Sequence, residues 1–124
     1  MPVEVSWDDQ CHQCIRVAIG GGWIWDDLYT ALKLADSLSE DSEHERIDYI
    51  FDVRQGNIFP RDVLHKIRRV RLQLHQKARL IIVVGQGTFA GALIQVLESI
   101  ASPDTRIEQV KSLDEAYELV DDSE

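Results

Sequence analysis

Cys11-His12-Gln13-Cys14 comes nearest, by residue type, to a reactive centre. Two thiols at this spacing can exchange with a disulfide or supply half of a zinc site. A reactive pair of the first kind wants a helix N-terminus to lower a thiol pKa, whereas Cys14 opens an alternating, strand-like run. A zinc site wants two further ligands, and His44, His65 and His75 are scattered, with no second pair at ligand spacing. Two thiols are therefore expected rather than a structural bridge, with no metal and no other cofactor.

Gly85-Gln86-Gly87-Thr88-Phe89-Ala90-Gly91 follows a wholly apolar run and opens a helical pattern, where a phosphate-cradling turn would stand. Its spacing is one residue off the dinucleotide fingerprint, and too little chain follows Gly91 to complete a dinucleotide fold. No P-loop lysine is present. The segment reads as a tight turn whose Gly91 lets helix and sheet approach closely. Asp52 and Arg54 end a strand at its carboxyl edge, where open α/β sheets hold ligands; the plainer reading is a loop-stabilising ion pair. No serine–histidine–acid set or carboxylate pair can be assembled from neighbours, so no enzyme is expected.

Charge gives a stronger signal. Arg61, Lys66, Arg68, Arg69, Arg71, Lys77 and Arg79, seven of the thirteen basic residues, fall within nineteen positions. Only Asp62 opposes them, so this stretch carries +6 in a chain of net −9 and leaves −15 to the rest. With Val63, Ile67, Val70 and Leu74 facing inward, steps of 100° per residue place Arg61, His65, Arg68 and Arg69 outward, with Leu72 among them. A leucine ringed by arginines suits a protein interface. The partner expected first is an acidic protein surface or a second copy of this chain, as a homodimer. Anionic lipid ranks next, and the acidic total argues against nucleic acid. Trp23 and Trp25, with Gly85 and Gly87, offer the alternative of a small-ligand or lipid pocket. The plainer role for the tryptophans is to close one end of a small core.

The elements that must position these groups follow from periodicity. Val3-Glu4-Val5-Ser6-Trp7 and Cys14-Ile15-Arg16-Val17-Ala18-Ile19 alternate as two strands of a hairpin, stopped by Gly20-Gly21-Gly22. A helix is predicted over residues 26–38, with Leu28, Ala31, Leu32, Ala35 and Leu38 in one stripe. A loop over 39–46, a strand over 47–53 and a second helix from Pro60 to about Leu74 come next. Leu80-Ile81-Ile82-Val83-Val84 reads as a strand covered on both faces. Thr88 is placed to cap a third helix carrying Phe89, Leu93, Val96, Leu97 and Ile100 inward. A strand over 106–110 follows. Ser112 and Glu115 have capping-box spacing for a final helix.

The order β-β-α-β-α-β-α-β-α predicts an α/β fold: an N-terminal β-hairpin leading into a mostly parallel sheet of four or five strands with four helices. At 124 residues, with 44% hydrophobic and 28% charged, a single folded domain over 1–120 is expected, with residues 121–124 as an acidic tail. No basic residue precedes Arg16 and no apolar run resembles a signal peptide or a membrane span, so a cytoplasmic location is expected.

This order, together with Tyr49-Ile50-Phe51-Asp52-Val53, the loop 54–59 with its following helix, and Val110-Lys111-Ser112-Leu113-Asp114-Glu115-Ala116, resembles the STAS domain family of anti-sigma-factor antagonists. The likeness is to its divergent STAS/SEC14-like bacterial branch and covers nearly the whole chain. It implies a regulatory domain that docks a protein, such as an anti-sigma-type regulator, through Arg54, Asn57, Phe59, Arg61, Asp62, His65, Arg68, Arg69 and Leu72. The family's loop carries a D-S-x-G motif whose hydroxyl is phosphorylated to break the complex. Here Phe59-Pro60-Arg61-Asp62-Val63 has no hydroxyl. Asp62, or Arg61 one position earlier, takes the acceptor's place, and Asp62 would then hold a permanent negative charge.

Overall fold

The computed structural model describes residues 2–56, 59–60, 62–70 and 73–123. Its elements are β1 (Val3–Trp7), β2 (Cys14–Ile19), α1 (Trp25–Asp41), β3 (Ile47–Asp52), α2 (Val63–Val70), β4 (Ala78–Val84), α3 (Gly87–Ile100), β5 (Arg106–Val110) and α4 (Leu113–Ser123). The five strands lie in the order β1-β2-β3-β4-β5, with β1 antiparallel to β2 and the other pairs parallel. The sheet is therefore mixed, and the predicted hairpin and element order are found.

Because β2 to β5 advance in one direction across the sheet, right-handed crossovers carry α1, α2 and α3 to the same face. A core forms there from Ile15, Val17, Tyr49, Phe51, Ile81 and Val83 of the sheet against Leu28, Leu32, Val63, Ile67, Leu93 and Leu97. Among the described helices only α4 lies on the opposite face, where Ala116 and Val120 rest on Cys14, Ile50, Leu80, Ile82 and Val84. Strands β3 and β4 are thus covered on both sides, which is why the sequence from Leu80 to Val84 does not alternate.

Four boundaries differ from expectation. The first helix starts at Trp25 and runs through Ser39 to Asp41, where a loop was expected. At its start Asp27 reaches back to the Ile24 N–H (2.9 Å). At its end the ammonium of Lys77, from a distant turn, donates to Ser39 O (3.0 Å) and Ser42 O (2.8 Å), satisfying carbonyls that a helix terminus leaves open. Second, α2 is shorter than predicted. Pro60 precedes it, and the Leu74 N–H bonds to Ile100 O instead of continuing a helix. Third, α3 begins at Gly87, so Thr88 lies inside it and Gln86 stands at the cap with no side-chain bond. Fourth, α4 continues through Asp121, Asp122 and Ser123, assigned above to an acidic tail.

Cys11 and Cys14 form a disulfide, correcting the expectation of two thiols. The turn entering β2 folds the Cys14 N–H onto Cys11 O (3.1 Å), which brings their Cα atoms to 5.3 Å, within bridging reach. No described helix is long and apolar enough to cross a membrane.

Candidate docking surface

Strand β3 delivers Asp52 to the carboxyl edge of the sheet, on the face that α4 only partly covers. The register β2–β3 sets Asp52 beside Ala18, with Arg16 one pleat down on the same face. Arg54 grips Asp52 from the loop: its Nε donates to Oδ1 (2.9 Å), its Nη2 to Oδ2 (2.8 Å) and its backbone N–H to Oδ1 (3.2 Å). The Arg16 Nη2 adds a fourth bond to Oδ2 (3.0 Å). Burial works to raise the Asp52 pKa, but the bonds from Arg54 and Arg16 outweigh it and hold the carboxyl below its ordinary range. The same pairing raises Arg54. Arg54, expected at a docking edge, is committed to anchoring the loop. Arg16 was missed because only strand register reveals its neighbour.

A carboxyl with a lowered folded-state pKa contributes stability above its unfolded value and loses it as pH falls through the folded value. The advantage is therefore full above about pH 5 and drains below about pH 4. Asp52→Asn should lose about 1–3 kcal/mol at neutral pH, and its deficit should shrink towards pH 3. Urea midpoints of both proteins between pH 3 and 7 measure this; a constant difference would contradict it.

Beyond Asp52 the loop passes so close to Phe89 that a Cβ at Gly56 would lie 2.8 Å from its ring. Phe59 then turns inward. It meets Trp23 and Phe89 edge-on at centroid distances of 5.2 and 5.4 Å, so it closes the core instead of projecting from the docking edge. Trp23 is only 4% exposed, and its indole Nε1 has no hydrogen-bond partner among the described residues. Gly22, with φ at +76°, turns the chain just before it. The side chains that follow separate: Trp23 goes into the core, Ile24 stays 58% exposed, and Trp25 packs on Tyr29 at 5.6 Å. Trp23 and Trp25 therefore do not share one wall, and the cavity between the hairpin and α1, about 160 Å³, is lined instead by Val3, Val5, Asp26, Asp27, Thr30, Ala31 and Leu34.

Instead Ile24, Trp25, Asp26, Pro60, Asp62 and Lys66 line a groove of about 270 Å³ between the start of α1 and α2. Asp62 and Lys66 pair across one turn at 2.7 Å, which places Asp62 below the usual carboxylate range. His65, Arg68 and Arg69 are exposed, and neither arginine forms an ion pair among the described residues. Asp62, Lys66 and Arg69 share a helix face by their spacing. The basic ridge is smaller than the charge count suggests, since Lys77 caps α1 and Arg79 bonds to Gln76 O and Ala78 O. Asn57, Arg61, Arg71 and Leu72 lie outside the described residues, as does the side chain of Val70.

No protein-family model, curated protein or solved structure matches this chain. The surface must speak through its own geometry.

At the far edge, Gly85 and Gly87 serve the turn. A Cβ on Gly85 would lie 2.6 Å from Val53 Cγ2, and φ at Gly87 is +82°. Because β4 leads to α3 on one face and β5 to α4 on the other, their loops splay apart. Gly85, Gln86, Gln109, Val110, Lys111 and Glu115 line the crevice between them, about 440 Å³. Among the described residues no three His, Cys, Asp or Glu side chains gather as metal ligands.

Proposed function

We propose that this chain is a non-catalytic regulatory domain of the anti-sigma-factor-antagonist kind its sequence resembles, which docks an acidic protein surface. The groove of Ile24, Trp25 and Pro60, continued by His65, Arg68 and Arg69 of α2, is the contact face. One observation carries the reading: exposed Ile24, flanked by half-buried Trp25 and Pro60, stands at the foot of a helix whose Arg68 and Arg69 form no ion pair among the described residues. Aromatic and arginine anchors dominate the energy of protein interfaces, and an overall acidic chain does not require unpaired arginines for solubility. The partner class is an anti-sigma-type regulator with an acidic face. In the domains it resembles, the phosphoacceptor falls at Asp62, or at Arg61 one position earlier, and Asp62, paired with Lys66, would hold the negative charge there.

Affinity capture from the native cell, with mass spectrometry, identifies the partner, and calorimetry with that purified partner tests the surface. Arg68→Glu with Arg69→Glu should weaken binding by about tenfold or more, as should Ile24→Asp, and affinity should fall steeply with salt. Circular dichroism checks that the variants remain folded. Unchanged affinity in both variants refutes the reading. A dimer that sediments as such and dissociates in the arginine variant would make the partner a second copy of this chain.

A further inference from the structure

The disulfide lies on the far side of the molecule from that groove, and its position is poorly explained as reinforcement. It bridges residues only three apart, a loop so short that closing it removes little entropy from the unfolded chain. Its two sulfurs also differ in access. Cys14 is 0% exposed, beneath Ala116 and Val120 of α4, whereas Cys11 is only half-buried. Beside Cys11 opens a cavity of about 320 Å³, walled by Gln10, Cys11, His12 and Gln13 on one side and Tyr117, Val120 and Asp121 on the other. That volume suits a small ligand.

The turn is also coupled to α4. The buried Asp8 carboxylate accepts the Gln10 N–H (2.8 Å) and the Cys11 N–H (3.0 Å) through Oδ2, and the Tyr117 hydroxyl (2.8 Å) through Oδ1. Burial first, then that bond to Asp8, pushes the Tyr117 hydroxyl up to about 12, so it stays a donor throughout the neutral range. One carboxylate therefore ties the backbone of Cys11 to the helix that roofs Cys14.

We infer that Cys11–Cys14 is a reversible redox site, opened at Cys11 by a low-molecular-weight thiol seated in this cavity, and that its state sets how firmly α4 is held. The incoming thiolate attacks Cys11 Sγ, a new S–S bond forms, and Cys14 leaves with the electron pair of the old bond and takes a proton from water. A second thiolate attacks the ligand sulfur of the mixed disulfide and expels the Cys11 thiolate, which is protonated in turn. Two small thiols are oxidised to their disulfide, and one protein disulfide is reduced to two thiols.

The full chain is equilibrated in glutathione buffers of varied ratio, trapped by alkylation and weighed, with peptide mapping of the adduct. Reduction should be reversible in the folded protein, the mixed disulfide should map to Cys11, and amides of residues 113–123 should exchange at least tenfold faster once it is reduced. Cys14→Ser should take up one glutathione at Cys11, and Cys11→Ser should take up none while folded. A bridge that yields only on unfolding, an adduct on Cys14, or equal α4 exchange in both states overturns the proposal. Reduction by a protein dithiol such as thioredoxin, but not by glutathione, overturns the assignment to a small thiol.

Discussion

Trp23→Ala should lower the free energy of unfolding by about 3–5 kcal/mol, the range for deleting a buried large aromatic ring. The indole is 4% exposed and meets Phe59 and Phe89 edge-on at 5.2 and 6.0 Å. Truncation leaves a cavity that these rings cannot fill without moving the loop whose Gly56 already sits against Phe89. Chemical denaturation measures the loss. A ligand-lining tryptophan would behave differently, because its removal from a pocket wall would leave stability nearly intact. A loss under about 1 kcal/mol would therefore favour the alternative small-ligand reading.

Arg46→Ala should be as damaging, for an electrostatic reason. Asp48 is 0% exposed, and its carboxylate is held by Arg46 Nε (2.9 Å), Arg46 Nη2 (3.0 Å) and Gln13 Nε2 (3.0 Å). Arg46 also donates from Nη1 to Ser123 O (2.6 Å), which secures the last turn of α4. Removing one member of a buried ion pair leaves an uncompensated charge, at a cost of about 3–5 kcal/mol. Placing Asp48→Asn on Arg46→Ala should recover a good part of the loss, because the stranded charge is gone. Denaturation midpoints of the single and double variants decide this. If the single variant loses less than about 1 kcal/mol, Asp48 does not depend on Arg46.

The difference between these two cases shows what sequence reading can reach. Trp23 is apolar and bulky, so its role as a core plug could be anticipated from type alone. Arg46 fell in a segment read as a loop, and nothing local announces that it will lie over Asp48 and the end of α4. The same holds for Lys77. Counting placed it in a basic ridge, yet it folds back to cap a helix that ended some thirty-five residues earlier. Charge segregation marks a region, but it does not say which cations remain free. Arg68 and Arg69 stay exposed because the buried stripe of α2 sends them outward, and that stripe was readable from Val63 and Ile67.

Order and type of the nine described elements, the hairpin, the parallel run and the double burial of β4 were determined locally, by hydrophobic period and by glycine and proline punctuation. Tertiary structure alone decided the approach of Arg16 to Asp52, the groove beside Trp25 and the carbonyl cap on α1. Each of these depends on strand register or on groups brought together across a crossover, to within an ångström. Periodicity carries no information on that scale, because it says which side of an element faces inward and nothing of what it meets there.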